Sequence, residues 1–173
     1  MILETERLCI RAFIQKDFED VFEIYSNEIV CRYLLEEVWD STNKKENFSN
    51  KLKNNKLDKE TALNLAVLLN EKVIGDISIW YTDMKDTVEI GFAFNPKFSK
   101  KGYAKESVRA VIEELFNKYR IHRVQANLDA RNIASAALCN NIGMRKEAHF
   151  IKDYWNKGEW TDSYVYGMLF SDL

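Results

Sequence analysis

The chain has 173 residues, 46% hydrophobic and 30% charged, enough for one water-soluble domain with a substantial core. Its formal charge of −2 leaves no footprint for nucleic acid or an anionic membrane, and no apolar run is long enough to span a bilayer. Cys9, Cys31 and Cys139 show no CxxC spacing, so neither a disulfide framework nor a metal site is expected, and a reducing cytoplasm is.

One proline and six glycines leave no material for a linker, so residues 1–173 read as a single domain. In chain order, Leu8 to Phe13 predicts a first strand. Gln15-Lys16-Asp17 then opens a helix carrying Phe18, Val21, Phe22 and Tyr25 at helical spacing. Residues 44–56 predict a second, polar helix. Leu63 to Leu69 is a nearly continuous apolar run, suited to a strand covered on both faces, and Asn70-Glu71-Lys72 turns it into Val73 to Tyr81. Val88 to Phe94 is strand four. Residues 104–119 form the clearest helix, with Ala104, Val108, Val111, Ile112, Leu115, Phe116 and Tyr119 in one stripe. His122 to Leu128 is strand five, and Asn132 to Asn141 a short helix ended by Gly143. Strands at 145–154 and 160–170 close the chain around the turn Asn156-Lys157-Gly158.

The order β-α-α-β-β-β-α-β-α-β-β predicts an α/β (α+β) fold with a mixed, mostly antiparallel sheet and helices on both faces. Strand four, the long helix and strand five make one right-handed βαβ crossover, so those two strands are expected to be parallel.

Alternation in strand four sends Val88, Ile90, Phe92 and Phe94 to one face, and Glu89, Gly91 and Ala93 to the other. A strand that carries Gly and Ala in its middle gives up packing, and close approach by a ligand is one reason to do so. The loop Lys97-Phe98-Ser99-Lys100-Lys101 follows, then Gly102 and Ala104 at a helix mouth. Unpaired N–H groups, the positive end of the dipole and nearby lysines make that mouth suited to a diphosphate. A ligand with phosphates at one end and a thin arm fits this pair of features, and that describes coenzyme A.

Ser99-Lys100-Lys101-Gly102-Tyr103-Ala104 resembles the acyl-CoA loop of the GNAT N-acetyltransferase superfamily, written Gln/Arg-x-x-Gly-x-Gly/Ala. Glu4-Thr-Glu-Arg-Leu-Cys-Ile-Arg11, Glu89-Ile-Gly-Phe92 and Asn132-Ile-Ala-Ser135 resemble its Rim-type branch, which includes enzymes that acetylate the N-terminal amine of ribosomal proteins. The likeness covers nearly the whole chain, with one departure: Ser99 stands where Gln or Arg is usual.

The resemblance implies an acetyl-CoA-dependent N-acetyltransferase in which strands four and five splay and the pantetheine arm lies between them. Phe92, Ala93 and Phe94 would offer main-chain hydrogen bonds to the arm, with Ser99, Lys100, Lys101, Gly102, Tyr103, Ala104 and Lys105 at the diphosphate. Asn127, Asn132, Ser135 and Asn141 would line the other side. An attacking amine must lose a proton, and Glu89 is the expected base. A strand N–H such as that of Phe92 would face the charge of a tetrahedral intermediate. Many GNAT enzymes protonate the leaving thiolate with a tyrosine after strand five; none lies between Tyr119 and Tyr154, and Ser135 is the Rim-type substitute.

Each residue also has a plain structural reading. Glu89 fits a solvated strand carboxylate, Gly102 and Ala104 an ordinary helix entry, and Ser99 an N-cap. Asn132 and Ser135 fit an N-cap and first turn, Cys139 a buried thiol, and His122 and His149 structural or surface positions. Trp80, Tyr81, Trp155 and Trp160 read either as groove lining or as packing. A non-catalytic acyl-CoA sensor of the same fold is the alternative function. The acceptor amine, a protein N-terminus or a small molecule, is left open; Glu36, Glu37 and Asp40 would favour a polycation. The edge of the C-terminal hairpin leaves room for a homodimer.

Overall fold

Alternation in the apolar run Leu63–Leu69 divides it between two cores. Leu63, Leu65 and Val67 enter one, Ala66 and Leu68 the other, and this division extends across the sheet. The structure is a computed structural model describing residues 1–173. Its strands are β1 (Ile2–Glu4), β2 (Cys9–Ala12), β3 (Leu63–Leu69), β4 (Lys72–Tyr81), β5 (Thr87–Phe94), β6 (Arg123–Asp129), β7 (Arg145–Asn156) and β8 (Glu159–Leu169). The helices are α1 (Phe18–Tyr25), α2 (Glu28–Cys31), α3 (Lys44–Lys53), α4 (Tyr103–Asn117) and α5 (Ile133–Asn141).

The strands lie in the order β1-β2-β3-β4-β5-β6-β8-β7, antiparallel throughout except for β5 and β6. α4 and α5 cover one face through Val108, Val111, Ile112, Leu115, Phe116, Cys139 and Ile142, in a cluster of 23 buried residues. On the other face α1, α2 and α3 contribute Val21, Ile24, Tyr25, Cys31 and Phe48 to a cluster of 11. The mixed sheet with helices on both faces is therefore the observed architecture.

The parallel pair positions the site. β5 and β6 are in register at only three positions, Thr87 with Arg123, Val88 with Val124 and Glu89 with Gln125. On its outer side β5 stays paired with β4 from Val88 to Phe94, and β6 with β8 from Arg123 to Asp129. Beyond Glu89 the two strands therefore part, and a cleft opens between Ile90–Phe94 and Ala126–Asp129.

Several boundaries differ from the sequence reading. β1 was not expected; three residues are too few to show a period of two, and its pairing with β2 defines it. The helix expected from Gln15 begins with a 3-10 turn, Gln15–Asp17, whose Asp17 carboxylate accepts from the Ile14 N–H (2.9 Å) and from Arg11 (2.7 and 2.9 Å). α2 is a single turn inside the expected loop, capped by Asn27. At the C-terminal hairpin, Lys157 and Gly158 both have positive φ (49° and 83°), the geometry of a two-residue type I′ turn. Gly143 (φ 94°) ends α5 as expected, with Gly143 N–H to Asn140 and Met144 N–H to Cys139 closing a Schellman motif.

Candidate active site

Glu89 sits at the last paired position of β5 and β6, where the cleft begins. Gln125, directly across, donates its Nε2 to Glu89 Oε2 at 2.9 Å. Burial raises the Glu89 carboxyl above the ordinary carboxylate range, and the Gln125 hydrogen bond offsets part of that rise. A carboxylate with a raised pKa is a better proton acceptor than a solvated one, so the position suits a general base.

The cleft has a volume of about 410 Å³. Glu89, Gly91 and Phe92 line it from β5, Asn127 from β6, and Asn132 and Ser135 from the start of α5. Of the residues expected on the far side, these last three come together and Asn141 does not. It is exposed at the C-terminal end of α5, away from the lining of this cleft, because the helix carries it there. Asn132 caps α5, its Oδ1 accepting the Ser135 N–H at 3.1 Å, while the Ser135 hydroxyl is free of protein partners. The cap and the cleft lining coexist.

The expectation of a bare strand face is corrected. Ala93 is 7% exposed, covered by the second core, and its small side chain serves that packing. Gly91 does line the cleft, and a Cβ there would lie 3.4 Å from the Trp80 ring, an ordinary contact distance. Trp80 and Tyr154 border the cleft. Tyr81 packs on the core, and Trp155 and Trp160 pair edge-to-face outside it at 5.4 Å. None of Glu36, Glu37 and Asp40 lines it; Asp40 instead accepts from Thr42 and the Asn43 N–H.

At the mouth of α4 the N–H groups of Lys100, Lys101, Gly102, Tyr103, Ala104 and Lys105 have no hydrogen-bond partner within the protein. Lys100 and Gly102 have left-handed φ (61° and 83°), which turns successive amides the same way. Gly102, not Ser99, is the N-cap; Ser99 ends a short 3-10 turn and is exposed. An amide nest at the positive end of a 15-residue helix fits a diphosphate.

Sequence reasoning did not single out Arg7 for this loop. Its Nη1 donates to the Lys101 carbonyl (3.0 Å), its guanidinium lies 4.6 Å from the Tyr103 ring centroid, and a Cβ at Gly102 would come within 3.3 Å of Nη2. Glu106, in the first turn of α4, holds Arg7 at 2.6 Å and also accepts from Thr5 Oγ1 at 2.6 Å. The segment Thr5-Glu6-Arg7 thus braces the loop from a distance of 99 residues in sequence, which no local pattern reveals.

Comparison with known proteins identifies the family. The acetyltransferase (GNAT) domain family matches residues 7–145. The uncharacterised N-acetyltransferase YnaD of Bacillus subtilis is 36% identical over 98% of this chain and 97% of its own. A GNAT-family acetyltransferase structure from Bacillus anthracis superposes with a TM-score of 0.86 at 35% identity, covering 98% of both chains. The spermidine N-acetyltransferase of Vibrio cholerae, solved with CoA and spermine, shares the fold at 19% identity, with a TM-score of 0.80 over 97% of this chain and 98% of that one. The chain therefore belongs to the GNAT family and is an acetyl-CoA-dependent N-acetyltransferase.

Proposed function

We propose that this chain, as a single domain of the Rim-type branch, acetylates a primary amine by direct attack, with Glu89 as the base. The observation that carries the reading is Glu89 itself: a carboxylate of raised pKa at the vertex where β5 and β6 part. Acetyl-CoA supplies an activated acetyl group as a thioester. The amides of Lys100 to Lys105 would hold its diphosphate, with Ser99 beside them, and alternate main-chain groups of Phe92, Ala93 and Phe94 would face its arm.

Each side chain then has one task. Glu89 takes the proton from the attacking amine, directly or through water. The Phe92 N–H is directed toward the thioester oxygen as it gains charge. Ser135 hydrogen-bonds the departing sulfur, and Asn127 and Asn132 orient the arm; Asn141 would meet the carrier only outside this cleft. Three free thiols fit a reducing cytoplasm.

The test is thiol release from acetyl-CoA with a panel of primary amines. Glu89→Gln should lower kcat by about 10²- to 10⁴-fold while calorimetric binding of acetyl-CoA is retained. Wild-type kcat/KM should fall with decreasing pH through an acid limb above the ordinary value of 4.5, because the carboxylate form is the active one. An unchanged kcat in the variant would remove Glu89 from the mechanism.

A further inference from the structure

The carboxylates around the cleft point to a class of acceptor. Two line it, Glu89 and Asp129. Asp129 is spoken for: its side chain is 4% exposed and accepts from the Arg131 N–H (2.9 Å), Nε (3.0 Å) and Nη2 (2.7 Å). Nearby, Glu159 is paired with Arg131 at 2.8 Å and Glu36 lies 3.6 Å from Lys51. Of the two that line the cleft, Glu89 alone is left without a cation. Eight of the 17 lining residues are apolar or aromatic, among them Tyr33, Leu34, Leu35, Trp80, Leu128 and Tyr154, and the other polar ones are uncharged amides and hydroxyls. The Tyr33 face is already turned to Arg131, 5.6 Å from its centroid.

The cleft is also bridged on one side. The hairpin tip grips the loop after α2: Lys157 Nζ donates to the Cys31 (2.6 Å) and Glu36 (3.0 Å) carbonyls, and Asn156 Nδ2 to the Leu34 carbonyl (3.4 Å). Leu34 and Asn156 both line the cleft, so the hairpin tip and this loop are tied together along its wall.

We propose that the acceptor is a small primary amine with a single positive charge and an apolar body, aliphatic or aromatic. The inference rests on the acetyl-transfer reading above. The amine nitrogen sits at Glu89 and the body lies against Leu35, Trp80 and Tyr154. A second ammonium placed against those side chains, which are 37–66% exposed, finds no free carboxylate in the cleft wall and forfeits the apolar contact a methyl group makes there, which disfavours polyamines. The ammonium gives one proton to Glu89 and attacks as the neutral amine; the C–N bond forms, the C–S bond breaks, CoA leaves as the thiolate, and the second proton lost from nitrogen ends on that sulfur.

The experiment compares pentylamine with cadaverine, which has the same chain and a second charge, and adds butylamine, phenethylamine, spermidine and a serine-leading tetrapeptide. With acetyl-CoA, kcat/KM should rise on the order of fourfold from butylamine to pentylamine and exceed that for cadaverine by about tenfold. Cadaverine, spermidine or the peptide matching or surpassing pentylamine and phenethylamine overturns the proposal. Leu35→Glu, at a rim position 66% exposed, adds a second carboxylate and should narrow the pentylamine-to-cadaverine ratio by about two- to fivefold; an unmoved ratio counts against it. Calorimetry on the CoA-loaded protein separates the two readings. Pentylamine binding in preference to cadaverine, without turnover of any amine, keeps the acceptor class and removes the catalytic reading. Pentylamine failing to bind overturns the acceptor class.

Discussion

Lys51→Met should destabilise the protein severely, although it replaces a lysine with a residue of similar length. Lys51 is 5% exposed on α3, its ammonium 2.5 Å from Asp76 Oδ2 and 3.2 Å from the Tyr25 hydroxyl. It lies 4.4 Å from the Tyr25 ring centroid, and Tyr25 stacks on Trp39 at 4.8 Å. Burial opposes the lysine charge, but Asp76 and Glu36 more than compensate and raise its pKa. Methionine fills the space and leaves Asp76, 1% exposed, with the Tyr25 hydroxyl (2.7 Å) and a long contact to Ser78 (3.5 Å). Breaking a buried pair from one side costs about 3–5 kcal/mol. At about 2–4 °C per kcal/mol for a chain of this size, Tm should fall by roughly 6–20 °C. Urea and thermal unfolding at neutral pH measure it, and adding Asp76→Asn should recover part of the loss through a positive coupling. A loss below about 1 kcal/mol, the ordinary scale of a point substitution, refutes the reasoning. Because Trp39 N–H also bonds the Tyr25 carbonyl (2.9 Å), this cluster anchors the loop that carries Tyr33 to Leu35, and the variant should bind acceptor amines more weakly.

Other outcomes follow from single contacts. Gly102→Val forces a β-branched residue into left-handed φ (83°) within the amide nest; calorimetry should show acetyl-CoA affinity reduced at least about tenfold, and an unchanged Kd would dismiss the nest. Glu23, held at about 2 by Lys97, Lys72 and Asn95, stabilises the fold above its ordinary 4.5 and loses that contribution as pH falls toward about 2. Tm of Glu23→Gln should therefore fall less steeply than wild type across that window; parallel curves would contradict the linkage. Burial pushes the Cys139 thiol up to about 12 and the Cys31 thiol to about 11, so iodoacetamide at about pH 8 should label Cys9 alone in the native protein. Labelling of either buried thiol at a comparable rate would contradict that.

What the sequence displayed was local. The stripe on α4 and the unbroken run of β3 announced themselves because their periods are those of a helix and of a strand covered on both faces. The Lys157-Gly158 turn and the Gly143 stop were equally readable, since positive φ restricts which residues serve. Partners distant in sequence were not. Small residues at Gly91 and Ala93 signal that something large lies close, without saying whether it is a ligand, an indole from the neighbouring strand or a second core. Likewise Glu106 in a first helical turn looks like an ordinary complement to the dipole, and only the fold brings Arg7 and Thr5 to it. Asn141 was placed by resemblance to a motif, and the six residues after Ser135 carry it to the far end of α5.

The sheet is in effect two pieces, β1 to β5 and β6 to β8, with every internal neighbour paired, joined by three parallel pairs. Each piece has its own right-handed twist, and β5 and β6 are held to their outer partners along most or all of their length, so the strands diverge once the short join ends. Divergence leaves alternate main-chain groups of β5 without partners inside the protein, which is costly unless water or an extended ligand pairs them. On the proposed reading, the same divergence fixes where chemistry would occur. Glu89 and Gln125 are the last pair before the gap, and their side-chain hydrogen bond spans the vertex. A base at the vertex meets whatever lies at the end of an arm laid along the open edge, while α4, which follows β5, presents its amides to the other end. On that reading, the crossover that makes β5 and β6 parallel would supply both ends of one elongated site.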